Sequence, residues 1–249
     1  MKQAVLSRSL VLAVLALLIA GSISAYVLLS PQRTWDSAPT IIVDNRGLSS
    51  VTDGNGGVSR TVAAITSSQA WNGAGQGTVV NAQAGSVASW QLGDGIPMLN
   101  FDDPENVCTG TCLAATFTGF FTTRPDGSVR IFDADIVTNT SFSWTSEGEA
   151  DGCASEFFIE GVQVHEVGHL LGLGHSNVSG ATMFPSVSSC NNGPATTAAD
   201  DNAAINDLYG DGGGGPTGCL LLPRGASCTS NSQCCSGSCK GKPGRQTCR

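Results

Sequence analysis

The sequence predicts an α+β domain with a mixed twisted sheet and about three helices, followed by a small disulfide-rich C-terminal module. Three observations predict it. Short apolar runs broken by turn residues read as strands of a mixed or meandering sheet. Longer stretches with helical start and stop signals read as helices. Near residue 215 an acidic composition gives way to a basic, cysteine-dense one, which marks two modules.

The elements follow in chain order. Ile41-Ile42-Val43 predicts a first strand, and Asp53-Gly54-Asn55-Gly56-Gly57 a loop. Arg60 to Asn72 predicts a helix with Val62, Ala63, Ile65 and Trp71 as its apolar positions. Ile96 to Phe101, Ala115 to Thr122, Val129 to Phe132 and Ala134 to Val137 are strand candidates, with Pro125-Asp126-Gly127 as a turn. Ile159 to Leu171 predicts a second helix, stopped by Gly172. Thr197 opens a third, with Asp200 three positions on as a capping box, and it ends at Tyr209-Gly210. Gly212 to Gly215 before Pro216 is a flexible linker.

Composition narrows the function classes. The 249 residues are 41% hydrophobic, enough for a packed core. The formal charge is −8 and lacks the basic face a nucleic-acid binder needs. Residues 31–215 hold all 20 acids and five bases; residues 216–249 hold five bases and no acid. Of ten Cys, four (Cys108, Cys112, Cys153, Cys190) lie in the large part and six in the tail. Even counts in both parts predict disulfides in an oxidising compartment. Cys108 and Cys112, with Gly110 between them, form one expected pair, which leaves Cys153 with Cys190. Lys2 and Arg8 precede an apolar run from Leu10 to Ala20, and Gly21, Ser22 and Ser24 follow as small residues for cleavage. The alternative is an uncleaved anchor, because Tyr26-Val27-Leu28-Leu29 extends the run to membrane-spanning length. Either way the remainder is expected outside the cell, secreted or surface-anchored. The expected organisation is 1–30 signal peptide or anchor, 31–210 catalytic domain, 211–217 linker and 218–249 cysteine-rich module.

His165-Glu166-Val167-Gly168-His169 lies in the second predicted helix. Residues four apart share a helix face, so both imidazoles reach one ion. Gly172 permits a sharp reversal, and His175 then serves as a third ligand. Three protein nitrogens leave one position of a tetrahedral zinc open for water, the catalytic arrangement. Glu166 sits beside a ligand without being one, placed to act as general base. All three His of the chain fall in this string.

These residues resemble the metzincin zinc endopeptidases, and within them the matrixin branch. Met183, eight residues after His175, corresponds to the Met-turn below the zinc. Ser176 follows the third His, and Ala181-Thr182-Met183-Phe184-Pro185 is similar to the matrixin turn. Asp200-Asp201, Ile205 and Leu208-Tyr209-Gly210 are similar to the matrixin C-terminal helix. Through Ala134-Asp135-Ile136 and Trp144 the resemblance extends over roughly residues 38–210. It implies the zincin fold and a shallow cleft that takes an extended protein or peptide substrate. Pro185, Ser186 and Val187 would form the wall of the pocket past the scissile bond. One catalytic zinc is implied. No His remains for a second, structural zinc. Calcium held by Asp and backbone oxygens is a further candidate cofactor. Asp133, Asp135 and the other acids form no recognised loop motif, however, and read as surface acids.

The tail spacing, Cys219, Cys228, Cys234-Cys235, Cys239, Cys248, resembles an inhibitor cystine knot. That resemblance implies the pairs Cys219–Cys234, Cys228–Cys235 and Cys239–Cys248. A basic module on a glycine linker fits binding of an acidic polymer or substrate. Two alternatives to the endopeptidase stay open: a zinc amidase on cell-wall peptides, and a non-catalytic binding protein. No Cys precedes Cys108, so no cysteine-switch latency is expected. Asp36 is the one carboxylate between Tyr26 and Thr40. Asn139-Thr140-Ser141 and Asn177-Val178-Ser179 are glycosylation sequons.

Overall fold

The computed structural model describes residues 25–48, 51, 56–73, 77–87, 91–123, 129–146, 153–210, 227–230, 239–242 and 245–248. The glycine linker and the 125–127 turn lie outside them, as does most of the 53–57 loop. The chain order is β1 (Arg33–Thr34), β2 (Thr40–Gly47), α1 (Gly57–Thr66), β3 (Asn81–Gly85), β4 (Met98–Phe101), β5 (Ala114–Thr123) and β6 (Val129–Thr138). Then come β7 (Trp144–Thr145), β8 (Phe157–Phe158), α2 (Ile159–Leu170) and α3 (Ala199–Tyr209), with β9 (Cys239–Lys240) and β10 (Thr247–Cys248) in the tail.

Six strands form one sheet, and β6 organises it. On one edge β6 takes β1 at Val129–Arg130 and β4 at Ile136–Val137, both parallel. On the other it takes β5, antiparallel, along its whole length. β4 passes the sheet on to β2 and β3, again parallel. β5 is therefore the single antiparallel strand and an outer edge. All of β4 and most of β6 are buried, polar residues included, which reflects cover on both faces. Trp71, Phe101, Ile65, Ile136, Leu170 and Tyr209 are fully buried in the common core. Each such side chain contributes about 1.5–3 kcal/mol on burial.

Several expectations need correction. The first helix ends at Thr66 rather than Asn72, and residues 71–73 form a separate 3-10 turn. Hydroxyls compete with the helix there: Thr66 Oγ1 donates to the Val62 carbonyl, and Ser67 Oγ accepts from Gln69 N at 3.0 Å. The two strands predicted at 129–132 and 134–137 are one, because Asp133 keeps the extended ladder to β5. The capping role given to Asp200 belongs to Asp201, whose Oδ2 accepts from Ala198 N at 2.8 Å. Asp133 and Asp135 are not surface acids; they are 0% and 1% exposed. Asp133 accepts from Gly93 N (2.6 Å) and Asp135 from Met98 N (3.1 Å), which binds β6 to the segment leading into β4.

The disulfides Cys108–Cys112 and Cys153–Cys190 form as paired from the sequence. In the tail Cys228 joins Cys239, so the implied pairs Cys228–Cys235 and Cys239–Cys248 do not form. Cys239 instead faces Cys248 as a ladder neighbour, β9 against β10. Asn139 of the first sequon is buried, and its Nδ2 donates to the Cys112 carbonyl at 2.8 Å. Among the described residues no helix is long and apolar enough to cross a membrane.

Candidate active site

α2 supplies two imidazoles from one face. The His165 and His169 rings lie 4.8 Å apart. At the end of α2 Gly172 takes φ +107°, and a Cβ there would meet the Arg33 carbonyl oxygen at 2.5 Å. Backbone conformation and close approach both require glycine. The reversal returns Leu173 N to the Gly168 carbonyl at 3.0 Å and swings His175 across the helix face. The His175 ring is then 5.3 Å from that of His165 and 4.8 Å from that of His169. One donor atom from each of the three lies within 4.8 Å of the others.

The outer hydrogen bonds aim these rings. His165 Nδ1 donates to the Thr182 carbonyl at 2.6 Å, and His169 Nδ1 to the Leu173 carbonyl at 2.8 Å. A carbonyl only accepts, so Nδ1 carries the proton and Nε2 keeps its lone pair. The His169 and His175 Nε2 atoms converge to 3.2 Å. Burial pushes the His169 imidazole below its ordinary pKa. Burial, then the neighbouring His169, does the same at His175. Neutral imidazole is the ligand form. Three converging neutral nitrogens with no carboxylate among them fit zinc. Cys153, Glu156 and Cys190 also cluster, but both sulfurs are consumed in a disulfide.

Met183 is 2% exposed and packs against α2. It sits so close to α2 that a Cβ at Gly168 would meet its Sδ at 2.2 Å and the Trp71 ring at 2.6 Å. Trp71 is itself fixed, because its Nε1 donates to the Val164 carbonyl at 2.8 Å. Asp201, from the start of α3, accepts from Thr182 N (2.7 Å) and Met183 N (3.0 Å). The residue that caps α3 therefore also clamps the turn carrying Met183 and the carbonyl that orients His165. Asp200, its neighbour, accepts from the Ser176 hydroxyl at 2.6 Å, beside His175.

A cleft of about 630 Å³ opens in front of this centre. His165, Glu166 and His175 line it, and so do Pro185, Ser186 and Val187. Leu113, Phe142, Phe157 and Val162 make the rest of its wall largely apolar. Thr109, Thr111 and Cys112, in the Cys108–Cys112 loop, form one lip. β5 borders the cleft through Ala114, and Thr116 two residues on reaches Glu166. Asp36 is engaged elsewhere, paired with Arg130 at 3.1 Å.

Sequence reasoning brought together the three His, Glu166, Met183 and the 185–187 wall. It did not find Thr116, Trp71 or the clamp by Asp201. Thr116 and Glu166 are 50 positions apart, and a lone strand threonine carries no local signal of such a contact. The acidic doublet 200–201 was visible, but only geometry divides its two tasks.

With the sheet, whose single antiparallel strand borders the cleft at Ala114, this geometry is that of a metzincin-type zincin domain. Residues 89–210 match the Peptidase_M10 matrixin family, and the chain carries a matrixin-like metzincin domain. Metalloendoproteinase 1 of Glycine max is 41% identical over 129 residues, covering 49% of this chain and 34% of that protein. Metalloendoproteinase 5-MMP of Arabidopsis thaliana is 51% identical over 61 residues, 22% of this chain and 17% of that protein. Matrilysin of Rattus norvegicus is 40% identical over 67 residues, 27% of this chain and 23% of that protein. The chain thus spans about a third or less of the length of these relatives.

Proposed function

We propose that this chain is an exported zinc endopeptidase that hydrolyses peptide bonds in extended protein segments. The observation that carries the reading is the convergence of three imidazole donors within 4.8 Å beside a carboxylate in an open cleft. His165, His169 and His175 would hold the ion. Bound zinc would supply Lewis-acid polarisation of the scissile carbonyl and acidify a water to a pKa of about 7. Glu166 takes the proton of the attacking water and returns it to the leaving amine. The exposed edge of β5 offers backbone groups to an extended peptide, as an added strand. The apolar wall by Val187, Phe142 and Phe157 would receive a large apolar side chain next to the scissile bond, excluding water there.

Export rests on the basic–apolar–small pattern ahead of residue 25. Residues 26–29 also support cleavage or a short run before them. Val27 and Leu29 make backbone bonds with Gly174 and Gly172, and Tyr26 Oη donates to Asp207. Residues so docked on the domain are withdrawn from a membrane span. Supported by its charge, the tail is assigned a role in holding acidic polymers or substrates. The names of the plant and animal relatives, metalloendoproteinases and a matrilysin, agree with the reaction class.

The test is casein hydrolysis by the purified protein. Activity should vanish with a chelator and return on adding zinc. Hydrolysis that survives complete metal removal would refute the reading.

A further inference from the structure

Thr116 Oγ1 lies 2.6 Å from Glu166 Oε2 and 3.0 Å from the Glu166 backbone carbonyl. A hydroxyl has one hydrogen to give. The shorter contact is to the charged acceptor, which binds a hydrogen more strongly than a neutral carbonyl does, so the proton points at Oε2. The contact is built in. Strand alternation puts Thr116 on the same face as Ala114, which lines the cleft. Thr116 is held in register by pairing with Ile136 of β6. Glu166 is only 6% exposed although it lines the cleft.

We propose that Thr116 is a positioning residue for Glu166: its hydroxyl holds Oε2 and leaves Oε1 as the oxygen that exchanges a proton with water. The proposal rests on the reading of Glu166 as the base. It assigns to the edge strand, beyond its backbone edge, a side chain that orients the carboxylate by direct contact. A carboxylate held by one oxygen presents the other in a single direction, which lowers the cost of reaching the proton-transfer geometry.

The experiment compares Thr116→Val, Thr116→Ser, Glu166→Ala and the Thr116→Val/Glu166→Ala pair in the full chain. Steady-state kinetics on a short peptide, bound zinc and thermal midpoint are measured for each. Thr116→Val keeps the β-branched shape and removes only the hydroxyl. Its kcat should fall about ten- to a hundredfold, the worth of one hydrogen bond to a charged group. KM, zinc content and midpoint should stay near wild type. Thr116→Ser should recover most of kcat. In the Glu166→Ala background Thr116→Val should change nothing further. Wild-type kcat in Thr116→Val, or a Ser variant as slow as Val, overturns the proposal, as does a loss confined to KM or zinc. If Glu166→Ala itself turns over normally, the assignment of the base fails instead. Should Thr116→Val not fold, Thr116→Ala takes its place in the same comparison.

Discussion

Asp201 shows how much one side chain carries. It is 1% exposed and takes hydrogen bonds from Thr182, Met183 and Ala198 backbone N–H groups. Removing the carboxylate leaves buried donors unpaired, at about 1–3 kcal/mol each. Asp201→Ala should lose at least about 2 kcal/mol in urea unfolding and also lower turnover, because His165 is oriented by the same turn. A variant with wild-type stability would show that the clamp is slack. At this scale the sequence was most legible where chemistry fixes spacing: His165, Glu166, His169, Gly172 and His175 declare themselves within eleven positions. Thr116 stayed hidden because its partner is distant in the chain. Asp133 and Asp135 read as surface acids because charge predicts exposure until tertiary structure overrides it.

Among elements, β6 places two buried carboxyls in the sheet. Burial first, then Asp133 beside it, pushes Asp135 up to about 8. The folded-state value lies above the unfolded one, so folding favours the neutral form. That contribution is full below about pH 4 and is lost as pH rises through about 8. Between about pH 5 and 8, the wild-type thermal midpoint should therefore fall further than that of Asp135→Asn. Parallel curves for the two proteins would contradict this. Helix α2 was legible throughout, although ten of its twelve residues are buried. The shortened α1 was not, because Trp71 continues the apolar pattern while Thr66 and Ser67 divert the backbone hydrogen bonds. Strand pairing was readable only as a mixed sheet. The placement of β5 at the edge depends on contacts that no local window contains.

The whole molecule joins an acidic domain to a basic tail through glycines. Glycine-rich joints in general transmit little, so a chain truncated after Gly210 should fold and cleave short peptides at the full-length rate. It should also lose retention on an immobilised polyanion, in a salt-dependent way. Loss of short-peptide cleavage on truncation would place the tail in the catalytic unit. The tail pairing was not legible: six cysteines allow fifteen arrangements, and Cys228–Cys239 is not among the pairs the spacing resembled.

The central claim is a division of labour in which three His hold the metal and Glu166 moves the proton. Metal analysis beside a peptide-cleavage assay, on Glu166→Ala and His169→Ala, tests it most directly. Glu166→Ala should keep one zinc and lose nearly all turnover, while His169→Ala should lose both. A Glu166→Ala protein that still cleaves peptide, or a His169→Ala protein that keeps its zinc and its activity, would contradict the account.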